Sequence, residues 1–279
     1  MFKLNSIYRP ITAQPFLLDE NYIEISPCAE LKPYVCCFWG TPQQYTGLSD
    51  KLPRQRLVIP DTCMDIIISI DEGLKRIEIL FAGISDNSFT DVQTAAKNTV
   101  SRIAVRLYSW AVPLFSDRSM KASLNSFTGA DEFFNNITRD LKDALIINSS
   151  MKARVKLLEH YLLKRLNINK QKCSVMNAVY RMLDSQGTAS ISELCGYSTI
   201  SSRQLERLFS EYIGVSPKRF SSLVRYQSLW KDILFDKSLS ILDCVHKYEY
   251  SDQSHLINDF KRFHTLTPIE ARVLAYEGL

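Results

Sequence analysis

Apolar and polar positions change their period along the chain. Between residues 56 and 108 they fall into short runs with strand spacing: Leu57-Val58-Ile59, Met64–Ile70, Ile77–Gly83 and Val100–Tyr108. Turn signals at Pro60-Asp61-Thr62 and Asp71-Glu72-Gly73 separate them. In the last run the alternation puts Arg102 and Arg106 on one face and Ile103, Val105 and Leu107 on the other. Upstream, Tyr34–Gly40 lies between Pro33 and Pro42 and predicts a buried strand or short helix, followed by a polar loop over Thr41–Pro53. Residues 1–30, punctuated by Pro10, Pro15 and Pro27, predict irregular chain with one or two short strands. Several short strands with turns between them predict a small barrel or sandwich. Inside it Trp39, Ile68, Phe81 and Tyr108 are candidates to line a ligand cavity or simply to pack.

From about Asp131 the period becomes helical. Phe134, Ile137, Leu141 and Leu145 form one stripe; after Asn148-Ser149-Ser150, Val155, Leu158, Leu162 and Leu166 form a second. This helical hairpin has more apolar surface than one small β domain needs, which predicts a homodimer through residues 131–166. Asn167–Lys170 reads as a linker, and a helix over Val175–Leu183 opens a second domain. The expected division is 1–166 and 170–279, and the expected class is α+β: a β-rich barrel or sandwich with a helical hairpin, then an all-α domain.

That second domain says nearly the same thing twice. Ile191, Leu194 and Cys195 share a helix face, and after a turn Ser201 or Ser202 can cap a helix whose Leu205, Leu208 and Phe209 point inward. Ile241–Val245, a turn and Ser251–Phe260 repeat the pattern, with Ser201 and Ser251 at 251 − 201 = 50 residues' separation. Gly214-Val215-Ser216-Pro217 closes the first copy and Thr265-Leu266-Thr267-Pro268 the second. Fifty residues hold two or three short helices, as a repeated helix-turn-helix requires. The outward face of the first copy carries Ser202, Arg203, Glu206 and Arg207, suited to a major groove.

At these phrases, and at Phe260-Lys261-Arg262-Phe263, the chain resembles the AraC/XylS family of bacterial transcription regulators over roughly residues 170–279. Pro60-Asp61-Thr62-Cys63 also resembles a segment of some amino-terminal domains of that family, with Thr62 replacing glycine. The resemblance implies two helix-turn-helix units joined by a long helix, binding successive major-groove segments of double-stranded DNA. It implies DNA contact by Ser202, Arg203, Glu206 and Arg207 in the first unit and by Gln253, Ser254, His255 and Asn258 in the second. Lys218, Arg219, Arg225, Lys261 and Arg262 are candidate phosphate contacts. It further implies an amino-terminal domain for effector sensing, dimerisation or both, and RNA polymerase as a further partner. Thr199 and Glu249 stand where the family has glycine in each turn, so both are expected in the left-handed region. A degenerate second unit would leave an alternative, an effector-free interaction adaptor.

Composition adds little to this. The 279 residues are 46% hydrophobic and 23% charged with net charge +4, a mildly basic balance. No apolar run reaches 18 residues and the start lacks a signal-peptide core, so the expectation is a cytoplasmic protein without membrane contact. Seven cysteines form no paired framework, and adjacent Cys36 and Cys37 are expected on opposite faces of a strand as buried thiols. All four histidines (His160, His246, His255, His264) lie outside the β-rich region, and no phosphate-cradling glycine loop appears. No metal, cofactor or catalytic activity is expected.

Overall fold

The structure, a computed structural model, describes residues 3–11, 22–41, 54–93, 100–236 and 238–277. Pro15 and most of the Thr41–Pro53 loop lie outside them. A four-residue helix α1 (Leu4–Ile7) precedes eight strands: β1 (Ile23–Ile25), β2 (Val35–Thr41), β3 (Arg54–Val58), β4 (Cys63–Asp71), β5 (Arg76–Ala82), β6 (Phe89–Gln93), β7 (Val100–Tyr108) and β8 (Phe127–Gly129). Six of them form an open antiparallel sheet in the order β1-β2-β7-β4-β5-β8, and β3 pairs with β6 in a separate small sheet. Of the two architectures expected, the described strands adopt two sheets.

Register sorts the side chains of the large sheet. Ile66, Ile68 and Ile70 of β4 share a face with Phe81 and with Ile103 and Val105. That face is covered by Phe133 and Phe134, whose rings lie 4.7 and 5.4 Å from Phe81, and by the hairpin α2 (Ile137–Ile147) and α3 (Met151–Arg165). The opposite face carries Trp39, Asp65, Arg106 and Tyr108. Trp39 and Tyr108 therefore stand on one side of the sheet and Ile68 and Phe81 on the other, and the four do not line a common cavity. Ile68 and Phe81 are fully buried packing.

Two further expectations change. Cys36 and Cys37 do not alternate across the sheet: Val35 pairs with Leu107 and Cys37 with Arg106, so Cys36 is the extra residue of a β-bulge. A bulge re-aims side chains, and the Cys36 thiol lies within hydrogen-bonding reach of both the Cys37 and Cys63 thiols. The hairpin, in turn, is not an apolar surface awaiting a partner. Ile137, Leu141, Leu145, Val155, Leu158 and Leu162 are all buried inside this one chain. The open sheet needs a whole face covered, and the hairpin covers it.

The carboxyl-terminal helices are α4 (Cys173–Asp184), α5 (Ile191–Ser198), α6 (Ser202–Tyr212), α7 (Pro217–Phe235), α8 (Ile241–Lys247), α9 (Gln253–His264) and α10 (Pro268–Glu277). The linker is pinned: the Asn167 amide donates to the Leu114 carbonyl at 2.9 Å, and Lys170 Nζ donates to the Ser116 carbonyl at 2.6 Å. Buried Gln227 of α7 accepts from the Ile11 amide at 2.9 Å and donates to the Pro60 carbonyl at 2.8 Å. Trp110 meets Phe220 edge to face at 6.5 Å, and the Met120 amide donates to the Glu211 carbonyl at 2.9 Å. A cleft of about 240 Å³ opens at this boundary beside Arg118, Lys170, Lys172, Glu211 and Tyr212.

Candidate nucleic-acid interface

The first unit is assembled from caps. Ser190 accepts from the Glu193 amide while Glu193 accepts from the Ser190 amide at 2.8 Å, closing a reciprocal box at the start of α5. The Ser190 amide and then the Ser190 hydroxyl, both donating to the Glu193 carboxyl, hold it below its usual range. Thr199 ends α5 in the left-handed region at φ 57°, ψ 38°. The chain then re-enters helix at α6, where Ser201 accepts from the Gln204 amide. Leu205 and Phe209 are buried, and Ser202, Arg203, Glu206 and Arg207 are brought together, exposed, on the other side. Arg207 makes a 3.3 Å ion pair with Glu211 one turn on; both are half exposed, so the pair is weak and easily exchanged.

The second unit repeats the device with one insertion. Ser240 and Asp243 form the box at α8, and Glu249 takes the left-handed turn position at φ 54°. The N-cap of α9 is Asp252, accepting from the His255 amide at 2.8 Å. Helix against helix, the period is therefore 252 − 201 = 51, with Ser251 as the extra turn residue. Leu256 and Phe260 occupy the places of Leu205 and Phe209, and Pro268 that of Pro217. Ser202, Arg203 and Arg207 then correspond to Gln253, Ser254 and Asn258. These three and His255 are exposed. His255 is steadied by Ser251 Oγ, 3.1 Å from its Nδ1, and by the Tyr250 ring at 5.2 Å. Asp252 is a cap, and the hydrogen bond from His255 keeps its carboxyl below the ordinary value.

The candidate phosphate contacts divide. Lys218 and Lys261 are exposed. Arg219, at the start of α7, is ion-paired to Asp86 of the amino-terminal domain. Arg225 is mostly buried, pairing with Asp259 at 3.1 Å and lying 4.3 Å over the Tyr250 ring, so it ties α7 to α9 and is not presented with the others. Arg262 shares Asp259 at 3.0 Å from an exposed position. Sequence reading missed Asp86 and Asp259, because nothing in the spacing of a lone carboxylate announces a partner 133 or 34 residues away (219 − 86; 259 − 225).

Residues 177–273 match the family model described as a helix-turn-helix domain, and residues 23–128 match a domain of unknown function (DUF6597). Residues 177–273 form a helix-turn-helix domain. An uncharacterized HTH-type transcriptional regulator of Haemophilus influenzae is 32% identical over 82 residues. That match covers 29% of this chain and 27% of the relative, so the chain spans about a quarter of that protein's length. Among solved structures, an AraC-type transcriptional regulator from Chromobacterium violaceum is 24% identical, covering 37% of this chain and 91% of that one at a TM-score of 0.33. ToxT of Vibrio cholerae is 12% identical, covering 80% and 96% at a TM-score of 0.42. ToxT has also been solved with an unsaturated fatty acid bound, at 12% identity, 79% and 92% coverage and a TM-score of 0.41. The matched helix-turn-helix domain runs from Asn177 in α4 to Val273 in α10 and includes both outward faces described above. Among the described residues no helix is long and apolar enough to cross a membrane.

Proposed function

We propose that the protein is a cytoplasmic, sequence-specific transcription regulator. Residues 170–279 bind two successive major-groove segments, and residues 1–166 carry effector sensing, dimerisation or both. The observation that carries this is the pair of capped helices, α6 and α9, each with its apolar face buried and its polar face exposed. Arg203 and Arg207 read guanine edges, Ser202 and Glu206 complete that face, and Gln253, Ser254, His255 and Asn258 supply the second. Lys218, Lys261 and Arg262 orient the duplex through phosphates, joined by Arg219 when it leaves Asp86. For an effector the cleft at the domain boundary, with its two lysines and Arg118, is better shaped than the packed sheet interior. A homodimer would have to use a face other than the buried Leu158–Leu162 stripe; Ile147, 79% exposed at the end of α2, is available.

Selection of bound sites from a random duplex library, followed by affinity against salt, tests the reading. A two-unit reader enriches one motif and loses affinity linearly with log salt. No enrichment together with no affinity for duplex DNA at low salt would show an interaction adaptor instead.

A further inference from the structure

The face of the large sheet turned away from the hairpin carries a thiol cluster that DNA reading does not use. Cys36 is the extra residue of the bulge in β2, next to Cys37, which is paired in register with Arg106, while Cys63 on the far side of β7 is paired with Tyr108. The Cys36 sulfur lies within hydrogen-bonding reach of four groups: the Cys37 and Cys63 thiols, the Tyr108 hydroxyl and the Arg9 guanidinium. Arg106 also lies beside the cluster, its charge shared with Asp65 at 3.2 Å and Asp61 at 3.6 Å. Such surroundings favour a thiolate, and the hydrogen bonds from Cys37 and then Cys63 hold the Cys36 thiol well below its ordinary value. Burial, by contrast, pushes Cys63 well up. Cys36 is 8% exposed, but Arg9, whose guanidinium touches it, has a side chain 64% exposed, so the sulfur sits one side chain from solvent.

We propose that Cys36 is a peroxide-reactive thiol whose oxidised form is resolved by Cys63. The Cys36 sulfur attacks hydrogen peroxide: an S–O bond forms, the O–O bond breaks, and hydroxide leaves to become water. Sulfur is oxidised by two electrons and the peroxide reduced. The Cys63 sulfur then attacks the resulting sulfenic acid, forming S–S and expelling a second water that takes the Cys63 proton. Strands β2 and β4 flank β7 and lie about 9–10 Å apart, beyond the roughly 4.4–6.8 Å that a disulfide spans between Cα atoms. Bond closure must therefore draw in a strand end. Cys63 is the first residue of β4 and follows the turn whose Pro60 carbonyl holds Gln227. Oxidation thus reaches α7 through that turn. The sulfur chemistry stands whether or not the protein reads DNA.

The test uses the full-length chain, dosed with hydrogen peroxide, its remaining thiols alkylated, and digested without reductant. The expected result is a Cys36 peptide joined to a Cys63 peptide, released by a thiol reductant. In Cys63→Ser, dimedone should label Cys36 as the stranded sulfenic acid. Hydrogen exchange at the Ile11 amide should rise several-fold on oxidation of the wild type and stay unchanged in Cys63→Ser. The proposal fails if Cys36 is recovered as a free thiol at a dose that oxidises exposed Cys173, or if Cys36 joins Cys37. Cross-linking with no change at Ile11 would overturn the transmission to α7. The wild-type peptide map needs no variant and stands even where Cys63→Ser does not fold.

Discussion

Arg203 and Arg207 stand exposed on α6 with only Glu211 competing for one of them, whereas their counterparts on α9, Ser254 and Asn258, carry no charge. An arginine gripping guanine contributes roughly 1–3 kcal/mol of discrimination. Arg203→Ala or Arg207→Ala should therefore weaken binding to a selected site about ten-fold or more. Gln253→Ala or Asn258→Ala should cost several-fold at most; equal or larger losses from the second pair, measured on one duplex, would reverse the ranking. His264 gives a pH prediction. Burial lowers its pKa from 6.5 to about 4, and its Nδ1 lies 2.8 Å from the Tyr226 hydroxyl. The folded state stays neutral where the unfolded chain takes up a proton, so stability is lost as pH falls from about 6.5 to about 4. The loss amounts to about 3 kcal/mol. Asp61, pushed up to about 6 by burial, has the opposite slope in part of this window. The measurement is therefore the difference between wild type and His264→Phe in denaturant midpoints across that range; a parallel pair of curves would remove His264 as the cause.

Elements with strong local signals were legible in the chain. The strands β4, β5 and β7 and the helices α2 to α6, α8 and α9 follow from period, caps and turn residues. Strand β2 settles as a strand where the sequence allowed a strand or a short helix, and α7 is the long helix that the resemblance implied. Thr199 and Glu249 take the left-handed conformation that their place in each turn required. What was illegible depends on distance. The short strand β8 has no alternation of its own and forms only because β5 offers it an edge at Leu80–Ala82. The bulge that brings Cys36 and Cys37 together is a two-against-one count visible only beside β7. At the site, exposure of Arg203 and Arg207 was readable from helical spacing, but the diversion of Arg225 onto Asp259 and Tyr250 was not. The hairpin shows the same limit, since an apolar stripe does not say which surface covers it. Leu158 is 1% exposed, and a buried, unpaired carboxylate costs several kcal/mol against a total stability of about 5–15. Leu158→Glu should thus unfold the amino-terminal domain, seen as a lost or strongly lowered thermal transition. A folded monomer produced from a native dimer would instead restore the hairpin as an interface.

Over the whole molecule, the two domains are joined at residues that DNA binding would also use. Asp86 is nearly buried and holds Arg219, so a phosphate must draw Arg219 away from a carboxylate. Asp86→Asn should raise affinity for a selected duplex a few-fold and steepen the salt dependence by up to about one phosphate contact; unchanged affinity and slope would show that Arg219 takes no part. The two reading units also differ in how they meet the rest of the chain. Gly214, at φ 91°, closes the first, and a Cβ there would strike Ser123 Oγ and come within 2.7 Å of the Met120 carbonyl. Thr265 closes the second at φ 68° and keeps its side chain, exposed to solvent. The repeat is therefore keyed like a connector with two similar plugs, only one of which has the notch that fits the socket. Exchanging the residues, Gly214→Thr with Thr265→Gly, keeps the composition but fills the notch and puts a β-branched side chain at φ 91°, where it is strained whatever the space. The full chain should lose the Met120–Glu211 docking, seen as faster amide exchange at Met120, and its melting temperature should fall further than that of a 170–279 fragment carrying the same exchange, which bears the backbone strain alone.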